Sequence, residues 1–235
     1  RLFDILYNSL PDTHKQILTT QYRMIENIGN LISKVFYRGI IDTGCNDDEK
    51  RHGLSRYVGK SIVWFDTSAN KKKSQKRTKG GSYINEEEKR IILEILDDLK
   101  STGELKGLDI GIITGYSGQK ELLRKSIKAT GLDKIASKID INTLDAFQGR
   151  ENDIIIYSTV RTRDSIGFQK EKERVNVAFS RAKKLLIVCE DKNFFHNFDD
   201  QDNKFVEIID YISEEEECEI IQCDGGKLFE RESNS

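Results

Sequence analysis

Proline is nearly absent from this 235-residue sequence: Pro11 is the only one, and it closes off what reads as a helix end over residues 1 to 8. Histidine is almost as rare. His14, His52 and His196 lie far from one another and from any cysteine, and Cys45, Cys189, Cys218 and Cys223 match no zinc spacing, so no metal site is expected. The cysteines read instead as reduced structural thiols in a cytosolic protein. No apolar run approaches the ~20 residues that span a bilayer, so no membrane partner is expected. The chain opens without an initiator Met and without a charged-then-apolar leader, and reads as a fragment of something longer. Three kinds of chemistry are missing as well. There is no G-x-x-x-x-G-K-[ST] phosphate loop, no apolar strand ending in an Asp-Glu pair suited to magnesium, and no Ser/His/Asp or Cys/His arrangement. On its own residues the chain could receive a phosphate but not cradle a nucleotide.

What is present is a soluble composition with ample chain for a buried core. The most organised stretch is 141–183, where a polar turn on Gly149 feeds the apolar run Ile154 to Val160. Such runs suit strands covered on both faces. Strands are expected at Gln16–Thr19, Ser61–Asp66, Asp109–Thr114, Lys138–Asn142, Ile154–Val160 and Leu185–Cys189. Helices are expected at 25–37, from Asn85 to Gly103 with a capping box to Glu88, from Ser117, over Lys170–Lys183, and near 192–198 and 204–213. The alternation predicts an α/β fold, a doubly wound, mostly parallel sheet with helices on both faces. Residues 1–213 form one domain in this scheme, with 38–81 a variable insertion and 214–235 an acidic, polar tail.

Net charge is −2, so no global field attracts nucleic acid, but residues 71–79 (KKKSQKRTK) carry six basic and no acidic groups. That run suits a solvated loop or a phosphate-backbone contact, and composition leaves both open. On a helix over 170–183, Arg174 and Arg181 are two turns apart and fall on one side. Their guanidinium forks match phosphate oxygens, or serve as structural partners of Glu171, Glu173 or a strand-end carboxylate. Gly149 permits close backbone approach and Glu151 could accept bonds from a sugar hydroxyl. Gln21-Tyr22-Arg23 offers an amide, a stacking ring and a guanidinium in three residues.

LTTQYRM, DIGIITGYSGQ, INTLDAFQGRENDIIIYSTVR and GFQKEKERVNVAFSRAKKLLIV together resemble, in order and spacing, the superfamily 1B helicases, nearest the nonsense-mediated-decay and Sen-type RNA/DNA helicases. The resemblance covers roughly residues 1–200 and corresponds to the second RecA-like domain, a P-loop NTPase fold lacking its own P-loop. It implies an ATP-dependent helicase or translocase whose ATP and Mg2+ are bound mainly by an N-terminal RecA-like domain preceding this segment. It also implies single-stranded DNA or RNA as partner, a cytoplasmic or, in a eukaryote, nuclear location, and no hydrolysis by the segment alone. Tyr22 would stack on adenine with Gln21 in support. Arg23 and Arg181 would reach the γ-phosphate, Arg181 as arginine finger. Gly149 and Glu151 would contact the nucleotide, and Arg174 would help set the cleft. Thr114 and Thr143 would hold the strand backbone, with Tyr116 and Gln119 nearby. Gly115 stands where the family usually has Pro, Glu173 where Arg is common, and Ser180 where Thr is frequent. Two other classes remain: a non-catalytic single-strand-binding module derived from a helicase domain, and a scaffold using the acidic tail.

Overall fold

The computed structural model describes residues 9–14, 18–70, 74–105, 107–132, 139–147 and 149–229. The helix end over 1–8, the start of the Gln16–Thr19 strand, Lys138 and the lysines at 71–73 lie outside these residues.

The apolar runs do form the sheet. Strands β3 (Ile62–Asp66), β6 (Ile110–Thr114), β7 (Ile139–Thr143), β8 (Asn152–Ser158), β9 (Ala182–Glu190) and β10 (Cys218–Gln222) run in the order β10-β3-β9-β8-β6-β7. Every neighbouring pair is parallel. Side chains alternate between two cores because successive strand residues face opposite ways. Ile62, Trp64, Ile155, Tyr157, Leu186 and Val188 face one core. Val63, Phe65, Ile154, Ile156, Leu185 and Ile187 face the other.

The first face is covered by α1 (Glu26–Tyr37), α5 (Lys172–Phe179), α6 (Lys192–His196) and α7 (Phe205–Glu214), with Trp64, Phe179 and Phe205 meeting edge to face. The second is covered by α3 (Glu86–Thr102) and α4 (Ser117–Ala129). Three small elements lie outside the main sheet. A parallel pair joins β1 (Thr20–Gln21) to β2 (Asp42–Thr43), α2 (Asp47–Lys50) follows it, and a hairpin joins β4 (Gln75–Arg77) to β5 (Tyr83–Asn85). The doubly wound α/β fold is as expected.

Four boundaries differ. The strand expected at Gln16–Thr19 begins later, since Leu18 and Thr19 are outside any strand and β1 is Thr20–Gln21. The 38–81 stretch is not one insertion, because it contains β3, an interior strand buried at all five positions. The boundary at 213/214 falls inside the fold, since β10 pairs with β3 along its whole length and Cys218 and Cys223 are buried. The acidic run 214–217 masks that short edge strand in composition. The helix expected over 170–183 is a 3-10 turn over Gly167–Lys170 and then α5, which ends at Phe179. The apolar strand behind it claims the chain from Ala182 onward.

Candidate functional site

The two edges of a parallel sheet are chemically different, and the polar motifs divide between them. At the amino edge of β8 and β9, three segments distant in sequence are stitched together by backbone bonds. Ile25 donates its N–H to Lys183 O at 2.8 Å, and Asn152 donates to Arg181 O at 3.1 Å. These bonds bring Arg23, Gly149, Glu151 and Arg181 to one place. Arg23 Nε donates to Glu151 Oε2 at 2.5 Å, and another of its nitrogens reaches Ser180 O at 3.3 Å. The two side chains are 39% and 45% exposed, so the pair is open to solvent.

Arg181 lies beyond the end of α5, in the turn to β9. Its Nε donates to Val177 O at 3.1 Å and a terminal nitrogen to Arg150 O at 3.4 Å. Among the described residues no carboxylate pairs with it directly. Burial, and then the positive charge of Arg23, lower its pKa, while Glu151 acts in the opposite sense. Two guanidinium groups therefore share one carboxylate at a solvent-open edge, an arrangement that favours an incoming anion.

Gln21 and Tyr22 divide structure from exposure. The Gln21 carbonyl accepts the N–H groups of Arg23 (2.9 Å) and Met24 (2.8 Å), and its amide donates to Met24 O and Thr43 Oγ1. It buckles the turn that aims Arg23. Tyr22 is 67% exposed, and a Cβ at Gly44 would stand 2.4 Å from its ring, so the ring packs closely against Gly44. Lys50 Nζ donates to the carbonyls of Tyr22 and Arg23. Gly149 takes φ +84, with open space around its Cα.

The carboxyl edge holds the threonines. Thr114 is in register with Thr143 on one side and Ser158 on the other, so three hydroxyl residues end three adjacent strands. Thr143 is half-buried. Thr114 is buried, and its hydroxyl accepts the N–H of Tyr116 at 3.4 Å. Tyr116 is buried between Tyr83 and Phe168, with its phenol pKa raised by that burial. Gln119 is fully buried, its amide committed to Asn85 and Ser158. Tyr116 and Gln119 thus brace the strand-end loops from behind. A Cβ at Gly115, where the family usually has proline, would come within 3.2 Å of the Phe168 ring.

Arg174 does not share a rim with Arg181. It pairs with Glu171 (2.9 Å) and Asp145 (3.5 Å) and lies over the Phe168 ring. Both contacts belong to the carboxyl edge: Arg174 lies in the first turn of α5 and Arg181 past its end, roughly 10 Å further along the axis.

Sequence reasoning missed Glu88. Asn85 does cap α3, accepting from the Glu87 and Glu88 N–H groups, but Glu88 bonds back to the Asn85 side chain and not to its backbone N–H, which Gln119 takes. The Glu88 carboxylate is buried and accepts from Asn85 Nδ2 (3.1 Å), Ser158 Oγ (2.5 Å), Thr159 Oγ1 (3.2 Å) and Val160 N–H (2.9 and 3.0 Å). Val160 is held at φ +72, a left-handed conformation that a β-branched residue rarely adopts. The signal was available: Glu88 lies on the same helical stripe as Ile91, Ile92 and Ile95.

Residues 1–193 match the profile of the AAA-domain family. Over 183 residues the chain is 36% identical to helicase SEN1 of Saccharomyces cerevisiae, covering 73% of this chain and 8% of that protein. The chain belongs to the superfamily 1B helicases. Within them it is a second RecA-like domain of the Sen and nonsense-decay type. Its relatives include the uncharacterized ATP-dependent helicase MJ0104 of Methanocaldococcus jannaschii, 32% identical over 94% of this chain and 33% of that protein. A Neurospora crassa homolog of regulator of nonsense transcripts 1 is 32% identical over 73% of the chain and 16% of its own length. This helicase domain thus spans a third or less of each of these relatives. Among solved structures, the C-terminal domain of a possible DNA helicase from Lactobacillus plantarum overlaps 72% of this chain and 87% of its own, with TM-score 0.41 and 16% identity.

Proposed function

We propose that this helicase domain is the C-terminal half of an ATP-dependent motor on single-stranded nucleic acid, with the nucleotide at the amino edge of β8 and β9 and the strand at the carboxyl edge of β6 and β7. The convergence of Arg23, Glu151 and Arg181 from three separate segments, on the edge opposite Thr114 and Thr143, carries this reading. The amino edge suits a ribose-bearing anion: two guanidinium groups for phosphate oxygens, the Glu151 carboxylate for a ribose hydroxyl, and the open Tyr22 ring for adenine.

Phosphoryl transfer calls for positioned charge more than for covalent chemistry. Arg181, fixed on two backbone carbonyls and without a carboxylate partner, would enter the site with its position already set and stabilise charge on the transferring phosphoryl group. Arg23 would come off Glu151 as phosphate and ribose take the two partners separately. Hydrolysis would then depend on closure of this domain against the first RecA-like domain, and opening would shift the strand-gripping edge.

In the longer protein, Arg181→Ala should lower ATP turnover at least ~100-fold while nucleotide still binds more weakly. Undiminished turnover would remove Arg181 from the role of arginine finger. The segment alone should hydrolyse no ATP.

A further inference from the structure

The β4–β5 hairpin is a strongly basic surface that the two edges leave unused. Lys76, Arg77 and Lys79 on it are exposed, as is Arg163 beside it. Among the described residues none of the four is paired with a carboxylate. Arg77 and Arg163 instead donate to backbone carbonyls, Gly81 O at 3.4 Å and Gln75 O at 3.3 Å. In a chain of net charge −2, four cations without a carboxylate partner on and beside one hairpin are a local concentration of positive charge.

The hairpin is also built onto the carboxyl edge. Gln75 Oε1, itself buried, accepts the Thr162 N–H at 2.9 Å in the loop after β8. Ser82 Oγ accepts the Gly118 N–H at 3.0 Å at the start of α4, directly after β6. A Cβ at Gly118 would lie 3.1 Å from Tyr83 O, so the hairpin backbone presses on that helix. Tyr83 packs edge-on against Tyr116 and under the Arg161 guanidinium. The cations are thus fixed to the same loops that end at Thr114 and Ser158.

We propose that Lys76, Arg77, Lys79 and Arg163 form a second phosphate-contact surface, which takes the sugar-phosphate backbone of a single strand leaving the strand ends of β6 and β7. The proposal rests on the reading of the carboxyl edge as the strand-gripping edge. Flexible cations on a hairpin suit backbone contact, which positions a strand without reading its sequence.

The test is fluorescence anisotropy of labelled oligo(dT) and oligo(U) with the full chain at several salt concentrations. Each lost phosphate contact on a single strand reduces the log–log salt slope by about 0.7, so Lys76→Ala/Arg77→Ala/Lys79→Ala should lower it by about 2 and weaken binding at least ~10-fold. Lys125→Ala/Lys128→Ala, removing charge from the outer face of α4, should change neither. If the triple variant keeps its affinity and slope while Thr143→Asp loses binding, the hairpin proposal fails and the strand-edge reading stands. If Thr143→Asp binds normally and the triple variant does not, the strand-edge reading fails and takes with it the proposed path from β6 and β7, leaving only a hairpin that binds phosphate by another route. A wild-type chain that binds neither oligonucleotide, or that releases them to poly-glutamate at equal charge concentration, overturns the proposal.

Discussion

Arg174 and Arg181 are the same residue seven positions apart, and their surroundings give them different chemistry. Arg174 is neutralised by Glu171 and Asp145 and covers an aromatic ring, whereas Arg181 rests on carbonyls and keeps its charge available. Glu88 is the mirror case, a carboxylate withdrawn from solvent to hold a strained loop. Burial pushes its pKa from 4.5 up to about 8, with the bonds from Ser158, Val160 and Thr159 working the other way. The sign follows from linkage. Between those two values the native state binds the proton and the unfolded chain does not, so this contribution is complete below 4.5 and is lost as pH rises through about 8. The urea midpoint of the wild-type chain should therefore fall between pH 5.5 and 8 relative to that of Glu88→Gln, which has no proton to lose. Parallel pH profiles for the two would contradict this account of Glu88.

Among the elements, the interior strands and amphipathic helices were legible because burial on both faces writes continuous apolar runs and helical stripes write a period. Ile154–Val160 and Ile91–Leu99 are instances of each. What stayed hidden was set by tertiary context. Strand β10 is short and half-covered and follows four glutamates, so composition read it as tail. The last turn expected of α5 was taken over by β9, which moved Arg181 off the helix. The candidate site was only partly legible: family motifs named Arg23, Glu151 and Arg181, but their division from Thr114 and Thr143 across opposite sheet edges follows from strand direction, which no motif states. Truncation makes the β10 assignment testable. A chain ending at Ser213 leaves the fully buried β3 as an unpaired edge, so its Tm should fall by more than ~5 °C and its aggregation should rise. A truncated chain as stable and monomeric as the full one would restore the boundary at 213.

Over the whole molecule, the two proposed sites lie at opposite ends of a sheet whose interior strands are largely buried. Leu144–Phe147 follows β7 at the carboxyl edge and Glu151 enters β8 at the amino edge, while helix α5 runs from the carboxyl edge to just short of Arg181. In the proposed motor, nucleotide chemistry and strand grip would be separate in space but share rigid connectors. The most direct test compares Arg181→Ala with Thr143→Asp in the longer protein, measuring ATP turnover and single-strand affinity for each. The account predicts that Arg181→Ala loses turnover at least ~100-fold with strand affinity nearly unchanged. Thr143→Asp should lose strand affinity and strand-stimulated turnover while keeping the basal rate. If Arg181→Ala impairs strand binding as severely as Thr143→Asp does, or leaves turnover intact, the assignment of the two edges is wrong.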